Sequence, residues 1–159
     1  MPEPWSFERF FEEHQPRLFG AMCLITGDRQ EAEEIAQEAF ARVWERWDRV
    51  SEIEDPAGFL FRTATNVFRN RLRRAAVALR RSFAPSPPAD ALAAVEDRDD
   101  LLRALRPLTP RQRAALVLTG YLGYTAVEAA RVLGIRPSTV RALTTQGRST
   151  ARSHLEAIG

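Results

Sequence analysis

Hydrophobic side chains recur along most of this chain at the three- and four-residue spacing of amphipathic helices, and no stretch alternates convincingly as a strand would. The clearest stripe follows Asp28, which is expected to cap a helix and to form a capping box with Glu31. The apolar positions of this stripe are Ala32, Ile35, Ala36, Ala39, Phe40, Val43, Trp44 and Trp47. The pattern predicts an all-α fold.

Proline and glycine indicate where the other helices of the first half begin and end. The first amphipathic stretch is expected to be interrupted at Pro16 and to end at Gly27. Asp55 and Pro56 form the next start signal, because aspartate caps helices well and proline suits the first helical position. The helix that follows is predicted to reach Arg74 or beyond.

A stretch rich in proline, FAPSPPADALAAVEDR at residues 83–98, separates two helical halves. We interpret it as a flexible, extended linker. A long surface loop within one domain is the alternative, although structureless loops of this length are uncommon inside compact domains. The prediction is therefore two small helical domains, residues 1–82 and 99–159. The second domain is expected to contain four helices that start near Asp100, Thr109, Thr125 and Pro137.

Charge is segregated along the chain, although the net charge is only +2. Residues 1–60 hold 6 arginines and 14 acidic residues, a balance of −8, whereas residues 61–82 hold 7 arginines and no acid, a balance of +7. Residues 83–100 carry −4, and residues 101–159 carry +7, with 9 arginines and 2 acids. Two basic blocks indicate separate electrostatic partners, while solvated helix faces are the alternative for any single run.

The first basic block forms a helix with a polar ridge opposite its apolar face. On a helical wheel the apolar arc contains Leu60, Phe61, Ala64, Val67, Phe68 and Leu72. The ridge consists of Arg62, Asn66, Arg69 and Arg73, with Asn70 beside it. Arginine contacts phosphates, and an asparagine amide can read a base edge, so we interpret the ridge as a nucleic-acid surface. An ordinary solvent face is the alternative, but such faces usually mix charges of both signs.

The second basic block has the spacing of a helix-turn-helix. Its small shared core would consist of Ala129, Leu133, Ile135, Val140 and Leu143, with Ala130 at the close approach of the two helices and Gly134 at the tight turn. A plain helical hairpin is the alternative.

The helix after this turn is expected to place its amino-terminal residues in the major groove. The candidate DNA contacts are Arg136, Ser138, Thr139, Arg141 and Thr145. On the opposite side, Leu155 and Ile158 are expected to face inward. Gly147 is expected to mark close packing against a neighbour, since glycine weakens a helix by about 1 kcal/mol relative to alanine.

Composition excludes several function classes. No apolar run approaches the roughly 20 residues of a membrane span, and the acidic amino terminus lacks the features of a secretory signal. Cys23 is the single cysteine; it precludes an internal disulfide, favours a cytoplasmic chain and lies in an apolar stretch as a core residue would. Acidic residues share one helix face, but no histidine accompanies them as ligand or base. We therefore expect no enzymatic activity, no catalytic residue, no metal and no cofactor.

Three motifs that follow one another along the chain resemble those of a known protein family. They are LITGDRQEAEEIAQEAFARVWERWDRV, DPAGFLFRTATNVFRNRLRR and LRPLTPRQRAALVLTGYLGYTAVEAARVLGIRPSTVRAL. From about Phe7 to Leu155 the chain resembles an extracytoplasmic-function sigma factor of bacterial RNA polymerase, the compact type of the sigma-70 family. The resemblance implies sigma domain 2 at residues 7–82, sigma domain 4 at residues 99–158, and a linker that threads near the polymerase active site.

The resemblance also implies a role for each of three surfaces. The segment EEIAQEAF resembles the part that docks on the clamp helices of the largest polymerase subunit, with polar contacts from Glu34, Gln37, Glu38 and Arg42. Residues 50–55 and the ridge of the next helix resemble the part that opens and reads the promoter −10 element, where Phe59 is a candidate to hold an unstacked base or else a core residue. The reader of the −35 element would consist of Arg136, Pro137, Ser138, Thr139, Arg141, Ala142, Thr145 and Gln146.

The −35 helix departs from the family pattern. Arg136 precedes Pro137 where many relatives have serine or a similar cap, and Thr145 and Gln146 replace further arginines. This puts a usual −35 preference in doubt.

The sequence thus predicts a sigma factor, and its expected partners are core RNA polymerase, through the clamp helices and the beta flap, and promoter DNA. An anti-sigma factor is a candidate partner, and no membrane contact is expected. The alternative function is a stand-alone helix-turn-helix transcriptional regulator, which would need a dimer interface to read two half-sites, and none is evident in the sequence.

Overall fold

The computed structural model describes residues 5–82 and 99–158. Within these residues the fold is all-α, as predicted, with no strand. The helices are α1 (Phe7–Thr26), α2 (Arg29–Glu45), α3 (Trp47–Val50), α4 (Pro56–Ser82), α5 (Asp99–Leu105), α6 (Pro110–Leu116), a π-helical turn (Val117–Tyr121), α7 (Ala126–Leu133) and α8 (Pro137–Ile158). The predicted linker, residues 83–98, lies outside the described residues.

In the first half, α1, α2 and α4 bury one face each against the others. Their largest fully buried side chains include Leu18, Met22, Ile25, Ile35, Val43 and Leu60. Two predicted caps are confirmed: Gly27 ends α1 in the left-handed region at φ 71°, and the Asp28 carboxylate accepts hydrogen bonds from the amides of Gln30 and Glu31. The full capping box with Glu31 does not form, because the Asp28 amide donates to Thr26 Oγ1 at 3.1 Å instead. The Asp55 carboxylate likewise accepts from the Gly58 amide at 3.0 Å. Cys23 is buried in α1, as expected of a core residue.

The predicted interruption at Pro16 is wrong, because α1 continues through it. Proline in a helix interior removes one backbone hydrogen bond and costs about 3 kcal/mol. The buried stripe runs on both sides of Pro16, from Phe10 to Leu18 and Met22, so burial of both segments against the same neighbours offsets that loss.

The apolar stripe of α2 ends earlier than predicted. Trp44 is 57% exposed, and Trp47 belongs to the separate short helix α3. Both indoles nevertheless pack on the start of α1: the Trp44 ring centroid lies 4.9 Å from that of Phe7, and Trp47 lies 5.1 Å from Phe10. An aromatic cluster therefore joins α1, α2 and α3 at the surface.

In the second half, capping boxes start α6 and α7 as predicted. Thr109 pairs reciprocally with Gln112, and Thr125 with Glu128. Gly134 ends α7 in the left-handed region at φ 68°, which is the tight turn expected there. The π-helical turn after α6 was not predicted; it is continued by a hydrogen bond from the Leu122 amide to the Val117 carbonyl.

The inner face of α8 is partly as predicted. Val140 is fully buried, and Gly147 is buried as well, but Leu155 is 44% exposed. Leu155 lies in the last turn of α8, where the periodic pattern does not predict burial correctly.

The two halves pack against each other and share one hydrophobic core. Helix α4 lies against α7, and α1 lies against α6 and the π-helical turn. The division into two domains at residues 82 and 99 stays a prediction. None of the helices in residues 5–82 and 99–158 combines the length and hydrophobicity that crossing a bilayer would require.

Gly147 provides a test of the packing of α8. A Cβ atom at this position would lie 2.9 Å from Leu116 Cδ1 and 3.2 Å from Leu108 Cδ2. We expect Gly147→Leu to lower the free energy of unfolding by about 1–3 kcal/mol through overpacking, despite a better helix propensity. Chemical denaturation followed by circular dichroism measures this change.

The matched control is Gly120→Leu, where no heavy atom lies within 4 Å of a Cβ. It should change the free energy of unfolding by less than about 0.5 kcal/mol. Equal effects of the two variants would show that Gly147 is not at a close contact.

Candidate nucleic-acid interface

The four predicted polymerase contacts lie together on the outer face of α2. Glu34, Gln37 and Arg42 are exposed, and Glu38 is half-buried. On the opposite side of the helix, Ile35, Ala39 and Val43 are fully buried. The helical repeat therefore places the polar residues on the face that points outward. The surface is therefore accessible to a partner.

Two ion pairs order the carboxylates of this face. Glu38 Oε1 lies 2.9 Å from Arg42 Nη2 within α2, and Glu34 Oε2 lies 2.9 Å from Arg71 Nη1 on α4. Exposed pairs of this kind contribute little to stability, typically under about 1 kcal/mol. The carboxylates of Glu34 and Glu38 can therefore leave these arginines and pair with positive charges on a partner.

An exposed aromatic patch borders the α2 face. Gln37 lines the same shallow surface as Phe7, Phe11 and Trp44. Phe11 is 41% exposed, and Trp44 more so. The sequence analysis assigned Trp44 to the apolar stripe of α2, because its helical spacing suits a buried position equally well.

The polar ridge of α4 emerges as the sequence predicts. Leu60, Phe61, Ala64, Val67 and Phe68 are buried, and Arg62, Asn66, Asn70 and Arg73 are consequently exposed.

Arg69 differs from the other ridge residues, because it is half-buried against the second half of the chain. Its Nη1 donates a hydrogen bond of 2.8 Å to the carbonyl oxygen of Leu133, the last residue of α7. This contact could not be predicted from the sequence, because its acceptor is a main-chain atom that every residue has.

Two more arginines of the ridge border clefts between the two halves. Arg62 and Phe59 line one cleft with Glu128 and Arg131 of α7. Hydrogen bonds with Thr125 lower the pKa of Glu128. Arg73 lines the other cleft together with Arg69 and with Arg111 of α6. Phe59 is half-buried and packs against the core, so it is not fully exposed to hold a base. The arginines of the ridge thus lie beside the second half, whereas Asn66 lines a cleft formed by first-half residues alone.

Helix α2 also approaches the second half. Burial raises the pKa of Glu31 and lowers the pKa of Arg113 on α6, and the opposite charges of the two groups each oppose this effect. Arg113 Nε is buried and has no hydrogen-bond partner among the described residues. The two side chains therefore bring opposite charges together at the boundary of the halves.

The predicted −35 reader forms the first turns of α8. Six of its eight residues are exposed, and Pro137 and Thr139 are half-buried. The exposed ones are Arg136, Ser138, Arg141, Ala142, Thr145 and Gln146. Val140 and Thr144 are buried on the other side, against α6 and α7. Most of the surface that would enter a major groove is therefore exposed to solvent.

The turn before α8 has helix-turn-helix geometry. The Ile135 amide donates to the Ala130 carbonyl at 3.1 Å, closing the α7 end around Gly134. Arg136 holds the N-cap position, because its carbonyl accepts from the amide of Val140 at 3.1 Å. A guanidinium cannot accept hydrogen bonds, so Arg136 leaves the first amides of α8 uncapped by its own side chain.

No group of three or more histidine, cysteine, aspartate or glutamate residues in the described ranges is arranged to hold a metal ion.

Comparison with known protein families matches both halves of the chain. Residues 10–77 match Sigma-70 region 2, and residues 98–150 match Sigma-70, region 4. The polar face of α2 and the ridge of α4 fall in the first match. The helix-turn-helix falls in the second.

Individual relatives belong to the same family. The chain is 30% identical over 139 residues to the ECF RNA polymerase sigma factor SigL of Mycobacterium tuberculosis, covering 82% of this chain and 78% of SigL. It is also 30% identical over 162 residues to the ECF RNA polymerase sigma factor SigE of Mycolicibacterium smegmatis, of which it spans 62%.

A solved structure has the same fold. The sigma factor RpoE in complex with the anti-sigma factor NepR, from Bartonella quintana, superposes with a TM-score of 0.78 at 21% identity and covers 94% of this chain and 96% of that one. Since two family regions occur in order and a relative is matched over most of its length, the chain belongs to the ECF sigma factors of the sigma-70 family, which direct RNA polymerase to promoters.

Proposed function

We propose that this protein binds core RNA polymerase through α2, contacts and melts the promoter −10 element with α4, and reads the −35 element with α8. One observation carries the proposal: the chain presents an accessible polar face on region 2 and an accessible reading surface on region 4. It is a specificity factor, and catalysis stays with the core enzyme.

Transcription in vitro tests the whole proposal. Purified protein added to bacterial core polymerase and genomic DNA fragments should produce transcripts with defined start sites, which sequencing of the RNA ends identifies. Core alone serves as the control. A protein that binds duplex DNA as a homodimer and gives no start sites with core would instead be a stand-alone regulator.

The α2 face supports the docking role through its charge. Glu34, Gln37 and Glu38 project from a segment with a net charge of −8, so a basic partner surface would be attracted to it. The neighbouring aromatic patch would add apolar area at the edge of the same interface. The proposed partner is the pair of clamp helices of the largest polymerase subunit.

Reversal of charge at Glu38 tests this docking. Glu38→Arg removes the ion pair with Arg42 and places two arginines side by side, so we expect affinity for core polymerase to fall about tenfold. Competition against a labelled sigma factor measures the affinity. Glu156→Arg, an exposed site near the end of α8 with the same charge change, should compete like the unmodified protein. Unchanged competition by Glu38→Arg would place docking elsewhere.

The α4 ridge supports contact with promoter DNA. Its arginines and asparagines form one row, and residues 61–82 contain no acidic residue to repel phosphate. Arg62 and Arg73 are exposed, which makes them better probes of DNA contact than Arg69 with its internal hydrogen bond.

The double variant Arg62→Ala, Arg73→Ala should reduce open-complex formation while core affinity stays unchanged. Loss of two phosphate contacts should also lower the slope of log affinity against log salt concentration by about 2. Permanganate footprinting and filter binding with holoenzyme measure these quantities. The control Arg9→Ala, Arg49→Ala removes two exposed arginines outside the ridge. An unchanged salt slope in the ridge variant would remove the ridge from promoter binding.

Region 4 supports reading of the −35 element. The amino-terminal turns of α8 carry exposed donors and acceptors that suit base edges and phosphates. At the positive end of α8, Pro137 has no amide proton and the amides of Thr139 and Val140 donate to the Arg136 carbonyl, which leaves the Ser138 amide to meet a phosphate. Region 4 is also the proposed contact for the beta flap.

An anti-sigma factor is a further proposed partner. The sigma factor RpoE, which shares this fold, was solved bound to the anti-sigma factor NepR. The acidic α2 face and the clefts beside α4 are the surfaces that such an inhibitor could cover.

A further inference from the structure

A cleft between α4 and the second half of the chain has an apolar lining that neither half covers completely. Its volume is about 240 Å³. Among the lining residues Phe68 and Leu133 are buried, whereas Leu72, Ile135 and Leu143 are only half-buried. Apolar side chains from α4, the turn after α7 and α8 therefore meet here without filling the space between them.

Three arginines line the same cleft: Arg69 and Arg73 from α4, and Arg111 from α6. Arg73 and Arg111 are exposed, and neither forms an ion pair within residues 5–82 and 99–158. Arg69 Nη1 donates to the Leu133 carbonyl, which leaves the other N–H groups of this guanidinium for a second acceptor. No acidic residue of the described chain lines the cleft, so its potential is positive.

The charge and the apolar lining together define the chemistry of a ligand. Guanidinium groups favour carboxylate or phosphate, because their parallel N–H groups match a pair of oxygens. The half-buried apolar side chains favour a hydrocarbon part, since its transfer out of water is favourable in proportion to the area buried. An apolar cavity with a few polar anchors is the usual composition of small-molecule sites. The DNA backbone offers the charge but has no hydrocarbon chain to place against the lining.

The volume of the cleft limits the size of the ligand. Because a water molecule takes up about 30 Å³ in the liquid, a cavity of 240 Å³ holds roughly eight groups of that size. A carboxylate with a medium-length alkyl chain or a single ring fits this space, whereas a long-chain fatty acid would extend into solvent.

We infer that this cleft binds a small amphipathic carboxylate, with its oxygens on Arg73 and Arg111 and its hydrocarbon part against Leu72, Ile135 and Leu143. The ligand contacts α4, α6 and the helix-turn-helix at once, so its binding energy adds to the contact between the two halves. The inference is independent of the proposed function, because it uses neither promoter DNA nor polymerase.

Titration of the full-length, isotope-labelled protein with octanoate tests the site. Nuclear magnetic resonance should show saturable shifts of the methyl groups of Leu72, Ile135 and Leu143. Two matched probes separate the features of the ligand: octanamide has the same chain without the charge, and acetate has the charge without the chain. Both should bind at least tenfold more weakly than octanoate. Shifts confined to another surface would overturn the inference.

The length of the alkyl chain provides a second measurement. From butyrate to octanoate, affinity should rise about fourfold for each methylene group, the gain expected when each group leaves water for an apolar site. The gain should stop for longer chains, which extend beyond the cavity. Affinity that does not depend on chain length would contradict an apolar site.

Two variants locate the binding within the cleft. Arg111→Glu should weaken octanoate binding at least tenfold, and it should leave the fold intact, because an acid in the first turn suits the helix dipole. The matched control Arg103→Glu makes the same charge change on α5, at an exposed residue outside the cleft, and should bind octanoate normally. Ile135→Ala should weaken binding several-fold by removing apolar contact. Equal affinities of the two arginine variants would overturn the inference.

Inorganic phosphate distinguishes this site from a general anion surface. It should bind the cleft at least tenfold more weakly than octanoate, since it has no hydrocarbon part. Phosphate that binds the cleft as tightly as octanoate would show that the arginines only form part of a surface for nucleic-acid phosphates, and the inference would fail. Transcription by the holoenzyme is scored separately, so failure of the proposed function leaves the octanoate result unchanged.

Discussion

The burial of one face of α4 is the constraint on which the rest of the structure depends. Leu60, Phe61, Ala64, Val67 and Phe68 are all at most 4% exposed, and together they anchor α4 to both halves. Because a helix repeats every 3.6 residues, fixing this face also fixes where Arg62, Asn66, Arg69 and Arg73 emerge. The hydrophobic effect thus aligns a row of charges without any interaction specific to those charges.

Local signals were enough to predict most of the helices. Capping residues such as Thr109 and Thr125, and the left-handed glycine at 134, act through hydrogen bonds and dihedral angles within a few residues, so the sequence alone contains them. The close approach at Gly147 was also predictable, because a glycine inside a helix is unfavourable unless a neighbour requires it. The outward faces of α2 and α8 were predictable as well, because the helical repeat places the polar residues opposite the buried ones.

The errors occur where tertiary packing overrides a local signal. Pro16 is a helix breaker by its own chemistry, but burial on both sides keeps α1 continuous. Trp44 and Leu155 fit an apolar stripe by spacing, yet no helix in the described chain covers them fully. Periodicity states which residues can share a face, and only the arrangement of the other helices decides how far that face extends.

The contact between Arg69 and Leu133 belongs to a class that sequence patterns do not encode. Its acceptor is a carbonyl at a helix end, which any side chain at position 133 would leave in place. Such an acceptor satisfies an arginine without adding a carboxylate to the boundary between the halves. Arg17 and Leu122 repeat this solution on α1, which indicates that it is a property of the boundary rather than of a single residue.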